Sequence, residues 1–511
     1  MPEAVSAPGA TPDTRIVRRL DSRSVQDLPA AVLAPEYERG GVTPGIVHIG
    51  VGNFHRAHEA LVIDRLLASG QARDWGIRGV ALLPSDEPLA RRMQQQDSLY
   101  TLVEKSSDGS WHYRVIGSIL DVLFAPDGIE EVLDAMTDPR IRIVTLTITE
   151  GGYNVDRLTG EFMHDTPAVV ADLAIDSVPT SVFGVVVEAL RRRRSAGTAP
   201  FTVLSCDNIQ HNGDVARRMF TAFAELKDPE FAEWMRTQVS FPNSMVDRIT
   251  PVTTPADIAA VSEVLGVTDE CPVVCEPFFQ WVVEDAFPTG RPEWELAGVQ
   301  VTDDVTPYEK MKLRLLNASH QGLCYFSHLA GYEFVHDALT WDQLRTFLRR
   351  FMDEEQTPTL DPVPGVDLGT YKSELIDRFS NPQVRDTVAR LCAESSDRIP
   401  KWLLPAVRDR LESDGSIRMS AAIVASWARY AEGVDEAGNP IAVVDPLKDE
   451  LVPLALSQRE ESAAFIRNAR LFGDLADDPR FREPYLAALA RLHGEGSRAT
   501  MAWLIEEEDA T

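Results

Sequence analysis

GIVHIGVG, residues 45 to 52, is a short apolar run that closes on two glycines, and a helical pattern follows from Ala57 to about Ser69. A buried strand, a glycine turn and a helix in that order form the opening of a βα unit. The unit recurs along the first half of the chain. WGIRGVALL (Trp75 to Leu83) predicts a second strand, with a helix from about Glu87 to Gln95 behind it. RIVTLTITE (Arg142 to Glu150) is a β-branched run followed by glycines, and FTVLSCDN (Phe201 to Asn208) is another strand, preceded by a helix from Val182 to Arg194. Strands that alternate with helices and end in Gly, Asp or Asn predict an α/β fold with a doubly wound, Rossmann-like sheet.

The character changes near residue 303. Helical spacing dominates from there: Pro307 to about Ala330, Trp341 to Asp353, Tyr371 to Arg378, Val384 to Cys392, Leu403 to Leu411, Ser420 to Gly433 and Ser462 to Leu471. Pro358 to Gly369, rich in Pro and Gly, reads as a surface loop. The expected organisation is a partly flexible leader over 1–40, a Rossmann-like dinucleotide-binding domain over 41–303 and a mostly helical domain over 304–511.

Bulk composition narrows the function classes. With 44% apolar and 25% charged residues, the 511-residue chain has ordinary globular composition. Its net charge of −29 argues against nucleic acid or an anionic membrane as a partner. The N-terminus lacks an apolar signal region, and no apolar stretch reaches membrane-spanning length. Five scattered cysteines, of which only Cys271 and Cys275 are close, suggest reduced thiols in a cytoplasmic protein. No HExxH and no paired CxxC sets are present, so no metal site is expected.

Three places have the residue types that chemistry needs. Gly50-Val51-Gly52 sits between strand and helix, where a dinucleotide pyrophosphate rests on a helix N-terminus. The third glycine of the G-x-G-x-x-G pattern is replaced by His55, and a bare βα turn has the same look. The second strand runs out at Asp86, an acid able to accept from a ribose 2′-hydroxyl or to cap the next helix. Asn208 closes another strand at its carboxyl end, where it can serve an Asx turn or bind a ligand. Further on, KMKLRLLNASH (residues 310 to 320) puts Lys312, Asn317 and His320 within an arc of roughly 140° on one helix. A lysine, an amide and an imidazole on one face can move a proton and steady an oxygen. Each of the three also has a common structural use.

These motifs, with GIVHIGVGNFHRAH (45 to 58), TLTITEGGYN (145 to 154), SCDNIQHNG (205 to 213), FPNSMVDRITP (241 to 251) and EPFFQWVVED (276 to 285), resemble the polyol-specific long-chain dehydrogenases. The likeness runs in order from about residue 40 to 480, and its K-x-x-x-x-N-x-x-H motif is specific. The resemblance implies an NAD-dependent enzyme that interconverts a polyol and a ketose, D-mannitol and D-fructose first among them. It implies a small-molecule substrate, no metal and a monomer. By the same resemblance Lys312 is the general acid–base, Asn208 and Asn317 form an oxyanion hole and His320 positions a substrate hydroxyl. Arg390 and Arg398 would reach further hydroxyls, and Asp247 and Glu150 lie near the lysine and a proton path. The cofactor segment is Ile49, Gly50, Val51, Gly52, Asn53, Phe54, His55 and Arg56, with Asp86 setting a preference for NAD. The family pattern has Lys at position 398 and a Gly-Ser turn before it, whereas this chain carries Glu394-Ser395-Ser396-Asp397.

The chemistry agrees with such roles. Hydride leaves carbon as the hydroxyl proton goes to a base, and a lysine titrating near ~10.4 when free must approach roughly 7–8 to serve. That shift amounts to roughly 4 kcal/mol. The alternatives are a D-arabinitol or other polyol dehydrogenase, a uronate (fructuronate or tagaturonate) reductase of the same family with Arg390 and Arg398 as a carboxylate clamp, and a non-catalytic NAD-binding sensor.

Overall fold

A computed structural model describes residues 5–6, 18–156 and 159–506. The chain divides into two compact units, 1–305 and 306–511. The first is built on a five-stranded parallel sheet: β1 (Pro44–Ile49), β2 (Gly76–Ala81), β3 (Ile119–Phe124), β4 (Ile143–Leu146) and β5 (Thr202–Ser205). The spatial order is β3-β2-β1-β4-β5, with Ile49 level with both Val80 and Leu146, and Leu146 level with Ser205. Strand order therefore reverses between β1 and β4. At such a switch point the carboxyl ends of the strands open a crevice for ligands.

Both faces of this sheet are covered, as an all-parallel sheet requires. On one face Val47, Ile49, Val144, Leu146 and Val203 pack with the helices Val182–Ala196 and Asn212–Lys227. Ile46, Ile77 and Val122 on the other face pack with Leu61, Val62 and Leu66. The helix after β1 is broken in two, α1 (Asn53–Ala57) and α2 (Glu59–Ala68), at His58, whose φ of −124° and ψ of −93° are not helical. α3 spans Glu87–Gln95, as its sequence pattern predicts. α4 (Val182–Ala196) starts on Ser181, whose hydroxyl accepts the Gly184 amide at 3.1 Å, and stops at Gly197 in the left-handed region. It is followed by β5 and by α5 (Asn212–Lys227).

Two further sheets flank the central one. Tyr100–Lys105 and Ser110–Ile116 form an antiparallel hairpin that Val273–Cys275 extends. β6 (Ser244–Asp247) runs antiparallel to β7 (Gln280–Glu284), which pairs in parallel with β8 (Gln300–Thr302). Of the expected leader, residues 1–4 and 7–17 lie outside the described residues. Leu20, Ser24 and Val32 are buried, so the stretch from 18 to 40 packs into this unit.

The second unit is helical. α6 (Thr306–Met311) passes through a π-helical stretch, Lys312–Asn317, into α7 (Ala318–Leu329). α8 (Arg418–Tyr430) is its axis, with Ala421, Ala422, Ile423, Val424, Ala425, Trp427 and Ala428 all buried, and α9 (Pro479–Gly494) packs beside it. Two expected helices come out shorter. The one anticipated from Val384 begins at Val388, because Arg385 takes a left-handed φ of +51° and Thr387 caps the Arg390 amide. The one anticipated over 462–471 is helical only at Ala469–Phe472, after a series of turns that buries Phe465 and Ile466.

Candidate active site

The turn after β1 sits at the switch point. Gly50 adopts φ +101°, and a Cβ there would lie 2.1 Å from the Thr147 carbonyl oxygen, so the turn accepts no other residue. Its amide donates to the Val80 carbonyl at 3.0 Å, and its own carbonyl accepts the Gly52 amide at 2.7 Å and the Thr147 hydroxyl at 2.6 Å. Gly52, which begins α1, is different. It is exposed, has φ −79°, and a Cβ there would meet nothing closer than the Gly50 oxygen at 3.9 Å. The protein's own packing gives no reason for glycine at 52. A glycine there leaves the backbone open to close approach by a ligand.

The remaining members of this segment divide by direction. Asn53 and Phe54 are half-buried, whereas the side chains of Ile49, Val51, His55 and Arg56 turn into the core. Arg56 donates to the Cys271 carbonyl at 2.5 Å and to Asn53 Oδ1 at 2.7 Å, holding the start of α1. Asp86 lies beyond the carboxyl end of β2, half-buried, and its Oδ2 accepts the Leu83 amide at 2.9 Å. It thus caps the short turn Pro84–Asp86 while standing on the same edge of the sheet as Gly50.

Beneath the turn lies a buried group of His48, His55 and Glu59, with possible metal-ligand atoms within 4.8 Å of one another. Glu59 Oε2 is 3.2 Å from His48 Nδ1 and 3.1 Å from His55 Nδ1, and it accepts the Thr145 hydroxyl at 2.8 Å. The imidazoles stack face to face, 3.4 Å apart and 12° from parallel. Parallel rings aim their nitrogen lone pairs side by side, not at one point, so the group suits a shared hydrogen-bond acceptor better than a metal ion. Hydrogen bonds from the two histidines offset the burial of Glu59 and hold its carboxyl below the ordinary range. Burial lowers His55 to about 4 and His58 to about 3. Through His48 Nε2, which lies 3.0 Å from the Gly50 carbonyl and 2.9 Å from Thr147 Oγ1, the group braces the glycine turn.

The ends of β4 and β5 bring a second set together. After β4 the chain turns through Thr149, at φ +65° and ψ 164°, into Glu150, which is exposed. A β-branched residue at positive φ is an outlier, costing on the order of 1–3 kcal/mol. Asn208, also exposed, follows Asp207 at the end of β5. Asp247 ends β6 and is buried. Arg248 next to it donates to the Ala57 carbonyl at 2.8 Å, to the Glu276 carbonyl at 3.0 Å and to Glu104 at 2.6 Å. In FPNSMVDRITP, then, Arg248 ties β6 to the end of α1. Sequence reasoning missed Arg248, Asp207 and Tyr153; their places inside shared motifs were the available signal.

In the second unit Lys312 and Asn317 are buried and His320 is half-buried, its ring 4.9 Å from that of Phe379. The sequence reading placed all three on a continuous α-helix. Here the stretch from Lys312 to Asn317 has π geometry, whose i→i+5 bonding brings residues five apart nearly in line. Lys312 and Asn317 have that spacing, so they come closer to one face than α-geometry allows. Asn317 Oδ1 is buried without a hydrogen-bond partner among the described residues. Arg390 and Arg398 are also neighbours: Arg398 donates to the carbonyls of Arg390 and Leu391, both at 3.1 Å. Arg390 forks onto Asp386 at 2.6 and 2.5 Å and is exposed.

Comparison with known proteins follows the same two-part division. A family model described as the mannitol dehydrogenase Rossmann domain matches residues 44–296, and one described as the mannitol dehydrogenase C-terminal domain matches 304–493. The mannitol 2-dehydrogenase of Phaeosphaeria nodorum is 43% identical over 95% of this chain and 85% of its own length. That of Emericella nidulans is 44% identical over 92% of this chain and 95% of its own. Among solved structures, Pseudomonas fluorescens mannitol 2-dehydrogenase in a ternary complex with NAD and D-mannitol superposes with a TM-score of 0.85 at 42% identity, covering 96% of this chain and 99% of that one. A substrate-free D-sorbitol dehydrogenase superposes at 0.89 with 38% identity, covering 94% and 100%.

Proposed function

The chain belongs to the mannitol dehydrogenase family, and on that premise we propose that it is an NAD-dependent polyol dehydrogenase interconverting D-mannitol and D-fructose. The observation that carries this reading is identity of 42–44% to mannitol 2-dehydrogenases over nearly the whole chain. The glycine turn at the β1/β4 switch point, with an open Gly52, supports a dinucleotide site there. Its holders are Gly50, Gly52, Asn53 and Phe54 with Asp86 at the ribose, while Ile49, Val51, His55 and Arg56 shape the segment from inside. When bound, NAD supplies the hydride acceptor for C2 of the polyol.

The chain's own residues handle the proton. Lys312 takes it from the C2 hydroxyl as the carbonyl forms and returns it in the reverse direction. Amides from Asn317 and Asn208 donate to that oxygen, an effect worth roughly 3–4 kcal/mol at most for each. His320 positions a hydroxyl, Asp247 and Glu150 serve the substrate and the proton's route, and Arg390 and Arg398 face the outer hydroxyls. No metal takes part. The same reading makes the enzyme a monomer of the cytoplasm, a reducing compartment that suits its five free, buried cysteines.

A second reading, oxidation of D-sorbitol, is favoured by the superposition of 0.89 on the sorbitol enzyme. Initial rates with D-mannitol, D-sorbitol and D-arabinitol plus NAD, and with D-fructose and fructuronate plus NADH, decide between them. D-mannitol and D-fructose should give the highest kcat/KM, before and after prolonged EDTA dialysis. A higher value for another polyol reassigns the substrate, and loss of activity that zinc restores removes the metal-free mechanism.

A further inference from the structure

Asp207 lies two residues past the end of β5 and one before Asn208, and its buried carboxylate is committed to the neighbouring turn. Oδ1 accepts the Thr149 amide at 2.9 Å, and Oδ2 accepts the Ile148 amide at 3.0 Å and the Tyr153 hydroxyl at 2.8 Å. Tyr153 also lies 2.6 Å from Ser205 Oγ on β5. Asn212 Nδ2 donates to the carbonyls of Ser205 and Asp207, both at 3.1 Å. The segment gripped in this way contains the one residue between β4 and Glu150 at positive φ, Thr149 at +65°.

We propose that Asp207 is a positioning residue: it clamps the strained Thr149 turn to the end of β5 and so holds Glu150 and the Asn208 amide in one rigid frame. The role rests on the functional reading above, which places both residues at the substrate. A carboxylate is a costly way to join two strand ends, because apolar packing would do so without desolvating a charge. What a carboxylate adds is two acceptor atoms that capture consecutive amides, Ile148 and Thr149, and this fixes the peptide plane leading into Thr149, while the Tyr153 hydroxyl on the same carboxylate holds the chain beyond it, so the unfavourable φ of Thr149 is bracketed from both sides. Burial pushes the Asp207 carboxyl above the ordinary range, and the hydrogen bonds from the two amides and Tyr153 oppose that push. Both ends of the clamp lie at the carboxyl edge of the sheet, one residue from a proposed site residue in each case.

The test is a double-variant cycle. Asp207→Asn keeps the shape but turns one acceptor into a donor facing an N–H group. Kinetics of D-mannitol oxidation and NADH binding by fluorescence quenching are measured in wild type, Asp207→Asn, Thr149→Gly and the double variant. Asp207→Asn should lower kcat at least tenfold and leave NADH affinity within twofold. Glycine holds φ +65° without strain, so on the Thr149→Gly background the same change should cost less than threefold. A purely structural carboxylate would cost the same in both backgrounds, and that result overturns the proposal, as does an Asp207→Asn enzyme within threefold of wild-type kcat. Tyr153→Phe removes one donor and leaves the carboxylate, and it carries the test if Asp207→Asn does not fold. It should lower kcat a few-fold in a way that Thr149→Gly suppresses, and an unchanged kcat overturns the proposal. A wild type inactive on every polyol removes the functional reading and this role with it, whereas an active wild type indifferent to these changes removes this role alone.

Discussion

Lys312 keeps 7% of its surface exposed, at the first position of the π-helical stretch. A lysine at that depth is largely removed from bulk water, the setting proposed above for a base acting on a substrate hydroxyl. On the proposed role of Lys312 as the base for the substrate hydroxyl, Lys312→Ala should lower kcat for D-mannitol oxidation by several orders of magnitude while NADH binding stays near the wild-type value. The wild-type rate should rise with pH through a single ionisation that is missing in the variant. A variant that does not fold, or one that keeps the wild-type pH profile, would make Lys312 structural. Asp86 invites a second test at this scale. Its carboxylate already accepts the Leu83 amide at 2.9 Å, which fixes its direction at the edge of β2. An anion held there repels a 2′-phosphate, so Asp86→Ala should narrow the preference of kcat/KM for NAD over NADP. Equal use of the two cofactors by the wild type would remove Asp86 from that role.

At the level of elements, the two glycines after β1 make opposite demands. Gly50→Ala puts a methyl 2.1 Å from the Thr147 oxygen at φ +101°, and it should lower the unfolding temperature of the protein and abolish cofactor binding together. Gly52→Ala meets open space at φ −79°, so the unfolding temperature should stay within a few degrees while KM for NAD rises at least tenfold. Equal effects of the two variants on stability would show that Gly52 serves the fold and not the ligand. This contrast also shows what was legible in the sequence. The strand–glycine–helix order and the β-branched runs mark β1, β2, β4 and β5, and α3 ends where its periodicity ends. The hairpin of Tyr100–Lys105 with Ser110–Ile116 went unread although Asp108-Gly109 marks its turn, and β6, β7 and β8 are only three to five residues long, too short for alternation to register. The π stretch leaves no mark in composition, because widening a helix by one residue changes which side chains align without changing which are apolar. For the candidate site, the residues proposed come from the family resemblance of the motifs. The clamp on Thr149 was not, since it depends on a backbone dihedral angle that no residue type announces.

Over the whole molecule, stability against acid should depend on histidines buried in the first unit. His58 lies among Phe54, Phe279 and Trp281, its Nε2 3.3 Å from the Gln280 carbonyl. Burial lowers it to about 3, and Arg248 adds to that shift while Glu59 and Asp247 oppose it. A histidine with a folded pKa below its unfolded value near ~6.5 stays neutral in the native state. As pH falls below that value the unfolded chain takes up a proton that the folded chain refuses, so stability declines down to the folded pKa. His55, lowered to about 4, acts in the same direction. Glu355 in the second unit acts in the opposite one. Its carboxyl, buried where it accepts the Met419 and Ser420 amides, is raised to about 7, so its contribution is greatest at low pH and is lost as pH rises through that value. The two units should thus respond to acid differently, the first weakening below about pH 6.5 before the second does. His58→Phe fits an aromatic pocket and removes one titrating group. Between pH 7 and pH 5 the free energy of unfolding in urea should fall by roughly 2 kcal/mol less in the variant than in the wild type. An identical acid loss in both proteins would mean that His58 is already protonated in the folded chain, and that the aromatic cage around it does not exclude charge.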